Sequence, residues 1–138
     1  LETAPGCFGD HGVLDEVDAL RSPEATLPGG ASMAIEPTRA LVAVDVNTGG
    51  DTSPAAGLKA NIAAARDLPR QLRLRGLGGQ IVIDLAPMSK KDRRQFETTL
   101  RAAFKSDIVE TALVGWTPLG HFELQRKRDR IALKERLR

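Results

Sequence analysis

Residues 41–45 read Leu-Val-Ala-Val-Asp and residues 81–84 read Ile-Val-Ile-Asp, so two apolar runs each end at an aspartate. A run rich in β-branched residues that stops at a carboxylate predicts a buried strand with an acidic, exposed end. A long helical pattern lies between the two runs, and it supplies the connection that neighbouring parallel strands need. At a strand spacing of about 4.8 Å, Asp45 and Asp84 would then lie within reach of one hard cation.

The segments around these runs predict a mixed sheet with helices packed on it. Ser53 and Pro54 are typical of a helix start, and glycines from Gly76 onward end that helix. Ser89 opens a second helix with a capping-box pattern. The predicted strands cover residues 31–35, 39–46, 80–85, 108–115 and 122–124, the first two as an antiparallel hairpin, and residues 22–30 are predicted to be a loop. The fold class is therefore α/β, with a right-handed β-α-β unit that brings both aspartates to one edge of the sheet.

Composition is that of a globular protein: 138 residues, 41% hydrophobic and 28% charged. The single cysteine, Cys7, excludes an internal disulfide and a cysteine-rich zinc site. No apolar run approaches the roughly 18 residues of a membrane helix, and a cytoplasmic location is expected. Because residue 1 is leucine, we interpret the chain as a processed or excised piece. Its expected divisions are an N-terminal helix and linker (1–26), a central domain (27–128) and a basic C-terminal tail (129–138).

Charge is unevenly distributed although the net charge is only +2. Residues 1–38 contain seven acidic residues and one base, whereas residues 126–138 contain seven bases and two acidic residues. Such asymmetry indicates a basic end that meets a polyanion or an acidic partner. A solvated terminal helix explains the same pattern equally well.

The candidate site consists of Asp45, Asn47 and Asp84. Two carboxylates without a nearby histidine or thiol favour magnesium, with manganese as an alternative, over zinc. The Asn47 amide lies two positions past Asp45, where it can contact a phosphate oxygen or orient a carboxylate. The spacing alone also suits aspartates that merely cap the following helices.

A set of basic residues is predicted to hold a nucleic-acid backbone beside these carboxylates. Its members are Arg73, Arg75, Arg126, Lys127 and Arg128. The arginines near residue 73 would equally fit a solvated helix face. With 4% aromatic residues and no tyrosine, a stacking surface for bases is not expected. Neither of the two histidines, His11 and His121, belongs to a recognisable catalytic motif, and His121 is expected to be a surface or packing residue.

Three stretches resemble the bacterial ribonuclease E/G family. Residues 40–49, Ala-Leu-Val-Ala-Val-Asp-Val-Asn-Thr-Gly, are similar to its Ala-Leu-x-Ala-Ile-Asp-Val-Asn-Ser-Gly segment. Residues 59–65, Lys-Ala-Asn-Ile-Ala-Ala-Ala, are similar to its Lys-Thr-Asn-Leu-Glu-Ala-Ala. Residues 70–84 resemble its Arg-Gln-Leu-Arg-Leu-Arg-Asp-Leu-Gly-Gly-Ile-Ile-Val-Ile-Asp. The resemblance runs from about Leu27 to Arg128.

The resemblance implies the DNase I-like subdomain of a magnesium-dependent endoribonuclease. Asp45 and Asp84 would be the metal ligands and Asn47 the third active-site residue. The implied reaction is cleavage of single-stranded RNA to 5′-phosphate and 3′-hydroxyl ends. The family's S1 domain and 5′-end sensor have no counterpart in these residues and are expected as partner domains of a larger enzyme. The alternatives are a non-catalytic RNA-binding module of the same fold and an unrelated α/β metal- or phosphate-binding domain.

Overall fold

The computed structural model describes residues 22–128, which form six strands and two α-helices. In chain order these are β1 (Glu24–Thr26), β2 (Ser32–Pro37), β3 (Val42–Asn47), α1 (Pro54–Arg75), β4 (Gly79–Asp84), α2 (Lys90–Lys105), β5 (Thr111–Trp116) and β6 (Phe122–Arg126). The expected α/β class with a mixed sheet is confirmed. The predicted N-terminal helix and the basic tail at 129–138 lie outside the described residues.

The six strands form one sheet in the order β1-β2-β3-β4-β6-β5. Strands β3 and β4 are parallel, with α1 as the connection between them, and the other neighbours pair antiparallel. The predicted hairpin of β2 and β3 and the predicted β-α-β unit are therefore confirmed. Two expectations were only partly correct. Residues 24–26 of the predicted loop at 22–30 form an edge strand that pairs with β2, and the strand predicted at 108–115 begins only at Thr111.

Helix α1 has clear start and stop signals at its two ends. The Ser53 side chain accepts a hydrogen bond from the Ala56 amide at 3.2 Å, and Pro54 occupies the first turn. At the other end Gly76 adopts a left-handed conformation (φ 66°), and the Leu77 amide donates to the Leu72 carbonyl at 2.9 Å. These signals set the length of α1 and therefore the position at which the chain turns to enter β4.

The hydrophobic core lies between one face of the sheet and both helices. Alternate residues of the central strands, such as Val44 and Ile83, are buried together with Leu68 of α1 and Leu100 of α2 in a single cluster. The intervening strand residues are half-buried or exposed, so the opposite face of the sheet is not covered by either helix. We call this second surface the open face.

No helix within residues 22–128 is long and apolar enough to cross a membrane.

Candidate active site

Asp45 and Asp84 are direct register partners at the ends of β3 and β4. Both are exposed and alternate with buried residues, so both carboxylates project from the open face. Neighbouring strands are about 4.8 Å apart, which brings the two side chains together. The predicted placement of the two aspartates on adjacent parallel strands is thus confirmed.

Asp45 has an unfavourable electrostatic environment for its charged form. Partial burial raises the pKa of the Asp45 carboxyl, and the negative charges of Asp84 and Glu36 raise it further. Glu36 belongs to β2, where it pairs with Ala43 on the same open face. A cation between the carboxylates would relieve this repulsion, and the carboxylate and amide oxygens of Asp45, Asp84 and Asn47 suit magnesium or manganese. The residues present therefore fit the implied metal.

Asn47 is the last residue of β3, two positions after Asp45. Because side chains alternate along a strand, its exposed amide lies on the open face with the two carboxylates. The structure thus places all three candidate catalytic residues on one surface. Across residues 22–128, no group of three or more His, Cys, Asp or Glu side chains is arranged as a metal site. A cation at Asp45 and Asp84 would consequently need oxygens from Asn47, water or substrate phosphate to complete its shell.

His121 is a neighbour of this site that the sequence did not reveal. Its Nε2 lies 3.6 Å from Asp84 Oδ1, and its side chain is 34% exposed. It reaches this position because β6 pairs with β4 and the preceding turn ends beside Asp84, with Phe122 opposite Ile83. We expected a surface or packing residue, and the side chain is half-buried. The expectation that no histidine lies near the carboxylates was wrong, because no local pattern reports a pairing between strands so distant in the chain.

Asn61 fixes the loop that follows Asp84. Its side chain is fully buried in α1, where its Nδ2 donates to the Ala86 carbonyl at 2.9 Å and its Oδ1 accepts from the Ala86 amide at 3.1 Å. A single amide therefore satisfies both backbone groups of a residue two positions beyond Asp84. This pair of hydrogen bonds ties the carboxylate-bearing strand end to the helix.

Arg93 is a cation near the Asp84 end of the sheet. Its guanidinium carbon lies 4.7 Å from the centre of the Trp116 ring, and the Trp116 indole N–H donates to Glu97 at 2.9 Å. The same guanidinium passes over Gly120, which is adjacent to His121. Stacking on an aromatic ring holds an arginine while leaving its N–H groups free for an anion.

The predicted RNA-binding residues lie away from the carboxylates. Arg126 pairs with Gly79, at the start of β4, whereas Asp84 is at its end. Residues 126–128 therefore lie at the opposite end of the strands, which we call the far edge. Arg73 and Arg75, at the end of α1, lie there too. The expectation that these bases surround the metal site was wrong, because α1 returns the chain to the far edge before β4 begins.

Arg126 itself cannot present its charge to RNA. It is 2% exposed, and its Nη1 donates to the buried Asp107 carboxylate at 2.6 Å and to the Thr111 hydroxyl at 3.0 Å. Its prediction as an RNA contact was wrong, because alternation along β6 directs residue 126 into the protein. Lys127 and Arg128 are exposed and remain predictions.

We expect Asp45→Asn to stabilise the metal-free protein at neutral pH. The folded-state pKa of Asp45 lies above the ordinary 3.8, so the folded protein binds this proton more tightly than the unfolded chain. Stability therefore increases as pH falls through the raised pKa, and it is reduced at pH 7, where the repulsion is fully present. Removing one of two opposed like charges should raise the free energy of unfolding by about 0.5 kcal/mol at pH 7 and leave it unchanged at pH 3.

Urea unfolding of the wild-type protein and Asp45→Asn at both pH values measures this difference. The charge-matched control Glu110→Gln, at the far edge, should show no such gain, and equal gains in both variants would contradict the local explanation.

These observations define a two-layer α/β domain that presents a carboxylate pair at the ends of its two parallel strands. The model of the Ribonuclease E/G family matches residues 2–129. The chain is 35% identical to Ribonuclease G of Salmonella typhimurium over 136 residues, covering 92% of this chain and 27% of that protein. It is 35% identical to Ribonuclease E of Escherichia coli over 134 residues (93% of this chain, 12% of that protein). It is 40% identical to Ribonuclease E of a Nostoc strain over 117 residues (81% and 17%).

The chain belongs to the Ribonuclease E/G family. It spans about a quarter or less of the length of these curated relatives.

Proposed function

We propose that this chain is the catalytic subdomain of a magnesium-dependent endoribonuclease that cleaves single-stranded RNA to 5′-phosphate and 3′-hydroxyl ends. The observation that carries the proposal is the direct register of Asp45 with Asp84 on an open sheet face. Membership of a family whose curated members are named ribonucleases supports it. Because the chain spans only part of these relatives, we propose that further domains, including an S1 domain and a 5′-end sensor, position the RNA in the complete enzyme.

In this proposal Asp45 and Asp84 hold the cation, and Asn47 contacts the scissile phosphate or orients a carboxylate. Bound there, magnesium would supply charge stabilisation at a phosphoryl oxygen and activation of a water nucleophile. The chain's own contribution is positioning: the strand register sets the separation of the carboxylates, and Asn61 holds the loop beyond Asp84. Arg93, near the same edge, is available to a neighbouring phosphate.

Metal binding should be weak and should depend on both carboxylates. Two protein ligands leave most of the coordination shell to water until RNA phosphate is present. We expect Asp84→Asn to weaken manganese binding at least about tenfold, since changes even to groups that only support metal ligands reduce affinity 10–100-fold. Titration of Mn²⁺, followed by calorimetry and water relaxation, measures this. Glu110→Gln is the charge-matched control at the far edge, and unchanged binding in both Asp45→Asn and Asp84→Asn would refute the metal site.

Cleavage by this chain alone should be very slow, because the domains proposed to position the RNA are separate from it. Correct positioning of reacting groups supplies much of the rate in such reactions and corresponds to effective molarities of about 10⁵ M or more. Long incubations of end-labelled single-stranded RNA with Mg²⁺ or Mn²⁺ test for products with a 5′-phosphate. Activity that disappears in Asp45→Asn supports the nuclease. RNA binding without metal-dependent cleavage, also in the chain extended by its neighbouring domains, would favour the non-catalytic RNA-binding module. Rapid cleavage that depends on the RNA 5′ end would show that this chain contains the recognition we assign to other domains.

A further inference from the structure

The two surfaces of the sandwich carry opposite charge. Helices α1 and α2 together contain eleven lysines and arginines and three acidic residues. The outward-facing strand positions include five acidic residues and, among the described strands, no lysine or arginine. These acidic residues are Glu24, Glu36, Asp45, Asp84 and Glu123. The helical layer is therefore the surface that attracts a polyanion, and it lies on the side of the sheet opposite the carboxylates.

A groove of about 620 Å³ runs between the two helices on this basic layer. Arg66, Arg70 and Arg73 line one wall, at spacings of four and three residues that keep them on one side of α1. The facing wall is made of small residues, namely Thr98, Thr99, Ala102 and Ala103 of α2 and Ser106 directly after its end. Small side chains leave room for an extended ligand to lie against the helix beside the arginine row.

The groove retains an excess of positive charge after its internal ion pairs are considered. The Asp107 side chain, at one end, is fully buried and is shared between Arg126 at 2.6 Å and Arg73 at 3.4 Å. The carboxylate of Asp67 lies 3.6 Å from Arg70, whose side chain is 56% exposed. Within residues 22–128, no carboxylate lies within 4 Å of Arg66. Two carboxylates thus face four guanidinium groups, and a bound anion would balance the remainder.

We propose that the groove lined by Arg66, Arg70 and Arg73 binds the sugar–phosphate backbone of single-stranded RNA, at a site separate from the carboxylate pair. The inference rests on the proposed function for the identity of the polyanion. Successive arginines are about 4.5–6 Å apart along the helix axis, so they form a row that suits a linear polyanion better than a single phosphate. Guanidinium groups pair with phosphate in bidentate geometry. No aromatic residue lines the groove, so binding is independent of base sequence.

The location of the groove determines its role. Helix α1 begins near the Asp45 end of the sheet and runs away from it, and the groove occupies its second half on the helical side. A nucleotide whose phosphate is bound in the groove cannot also reach the carboxylates. The groove therefore contributes affinity for RNA and its retention, but it takes no part in the cleavage reaction. Its loss should weaken RNA binding while the metal affinity at Asp45 and Asp84 stays unchanged.

The test compares two double variants of the 138-residue chain with equal loss of charge. Arg66→Ala/Arg70→Ala removes exposed groove arginines, and the control Arg94→Ala/Arg101→Ala removes exposed arginines of α2 that do not line the groove. Fluorescence anisotropy with a labelled oligouridylate in EDTA, across a range of salt concentrations, reports affinity without cleavage. We expect the groove variant to bind at least about tenfold more weakly, with the salt slope reduced by about 1.4 for two lost phosphate contacts. The control should change less than about threefold.

Equal losses in both variants, or no loss in the groove variant, would overturn the proposal. Binding of polyglutamate as tight as that of RNA would assign the groove to an acidic protein segment and would overturn it too. Far-ultraviolet circular dichroism and thermal melting verify that both variants remain folded. Asp45→Asn separates the two proposals: it should abolish cleavage and leave anisotropy unchanged. If the groove variant loses RNA binding, and the chain does not cleave RNA even when extended by its neighbouring domains, the groove would be supported while the nuclease would be refuted.

Discussion

Replacing Arg126 by methionine should lower the free energy of unfolding by about 3–5 kcal/mol, the usual effect of removing one partner of a buried ion pair. Arg126 and Asp107 have side-chain exposures of 1% and 0%, and their atoms approach to 2.6 Å. Methionine fills much of the arginine volume but leaves the Asp107 carboxylate buried, with only two longer contacts of 3.4 Å, from Arg73 and from the Val109 amide. The Thr111 hydroxyl also loses the hydrogen bond that it accepts from Arg126 and keeps only its 3.4 Å contact with the Val109 carbonyl. Urea unfolding measures the loss, and Lys127→Met, at the exposed neighbour, should cost less than about 0.5 kcal/mol.

The pH dependence of this loss identifies its cause. Burial alone would raise the pKa of Asp107, but hydrogen bonds from Arg126 and the Val109 amide, with the charges of Arg126 and Arg73, outweigh it and lower the pKa. A lowered folded-state pKa contributes stability that is present above the ordinary 3.8 and is lost as pH falls through the folded value. The difference between wild type and Arg126→Met should accordingly shrink toward acid pH. A difference that stays constant down to pH 3 would indicate lost packing and not a stranded charge.

Asn61→Asp should destabilise the protein by about 2–4 kcal/mol at pH 8. This is the usual cost of burying a charged group that lacks a hydrogen-bond partner. The substitution replaces the Nδ2 donor, 2.9 Å from the Ala86 carbonyl, with an oxygen of nearly the same size. Ionised, that oxygen repels the carbonyl and is fully buried; protonated, it can donate the missing hydrogen bond. The folded-state pKa of the new carboxyl is therefore raised, and stability should recover as pH falls through it.

The same substitution should also disturb the proposed metal site. Ala86 is two residues from Asp84, so a displaced loop moves the strand end and should weaken manganese binding at pH 8 several-fold. Gln95→Glu, an amide-to-carboxylate change at an exposed position of α2, is the matched control. Unchanged metal affinity in a destabilised Asn61→Asp protein would restrict Asn61 to a structural role.

Local pattern predicted much of the sheet and helices because local physics decides them. Alternation in β3 and β4, the Ser53 cap and Gly76 at the end of α1 act within a few residues, and they define the β-α-β unit. The predicted loop at 22–30 was only partly correct, because three residues next to Pro23 gain their strand conformation from pairing with β2. The intrinsic conformational preference of these three residues contributes less to strand formation than the hydrogen bonds they make with β2.

The sequence by itself determined the α/β class, the two strands that end at Asp45 and Asp84, and the family resemblance carried by the residues around them. Parallel pairing then follows from the intervening helix, because a crossover returns the chain in the same direction. Only the tertiary structure decided that His121 meets Asp84, that Arg126 is buried against Asp107, and that the bases lie on the helical layer and not around the carboxylates. These outcomes depend on the order of strands in the sheet and on which face each residue occupies. They are set by packing between elements distant in the chain, which no short stretch of sequence encodes.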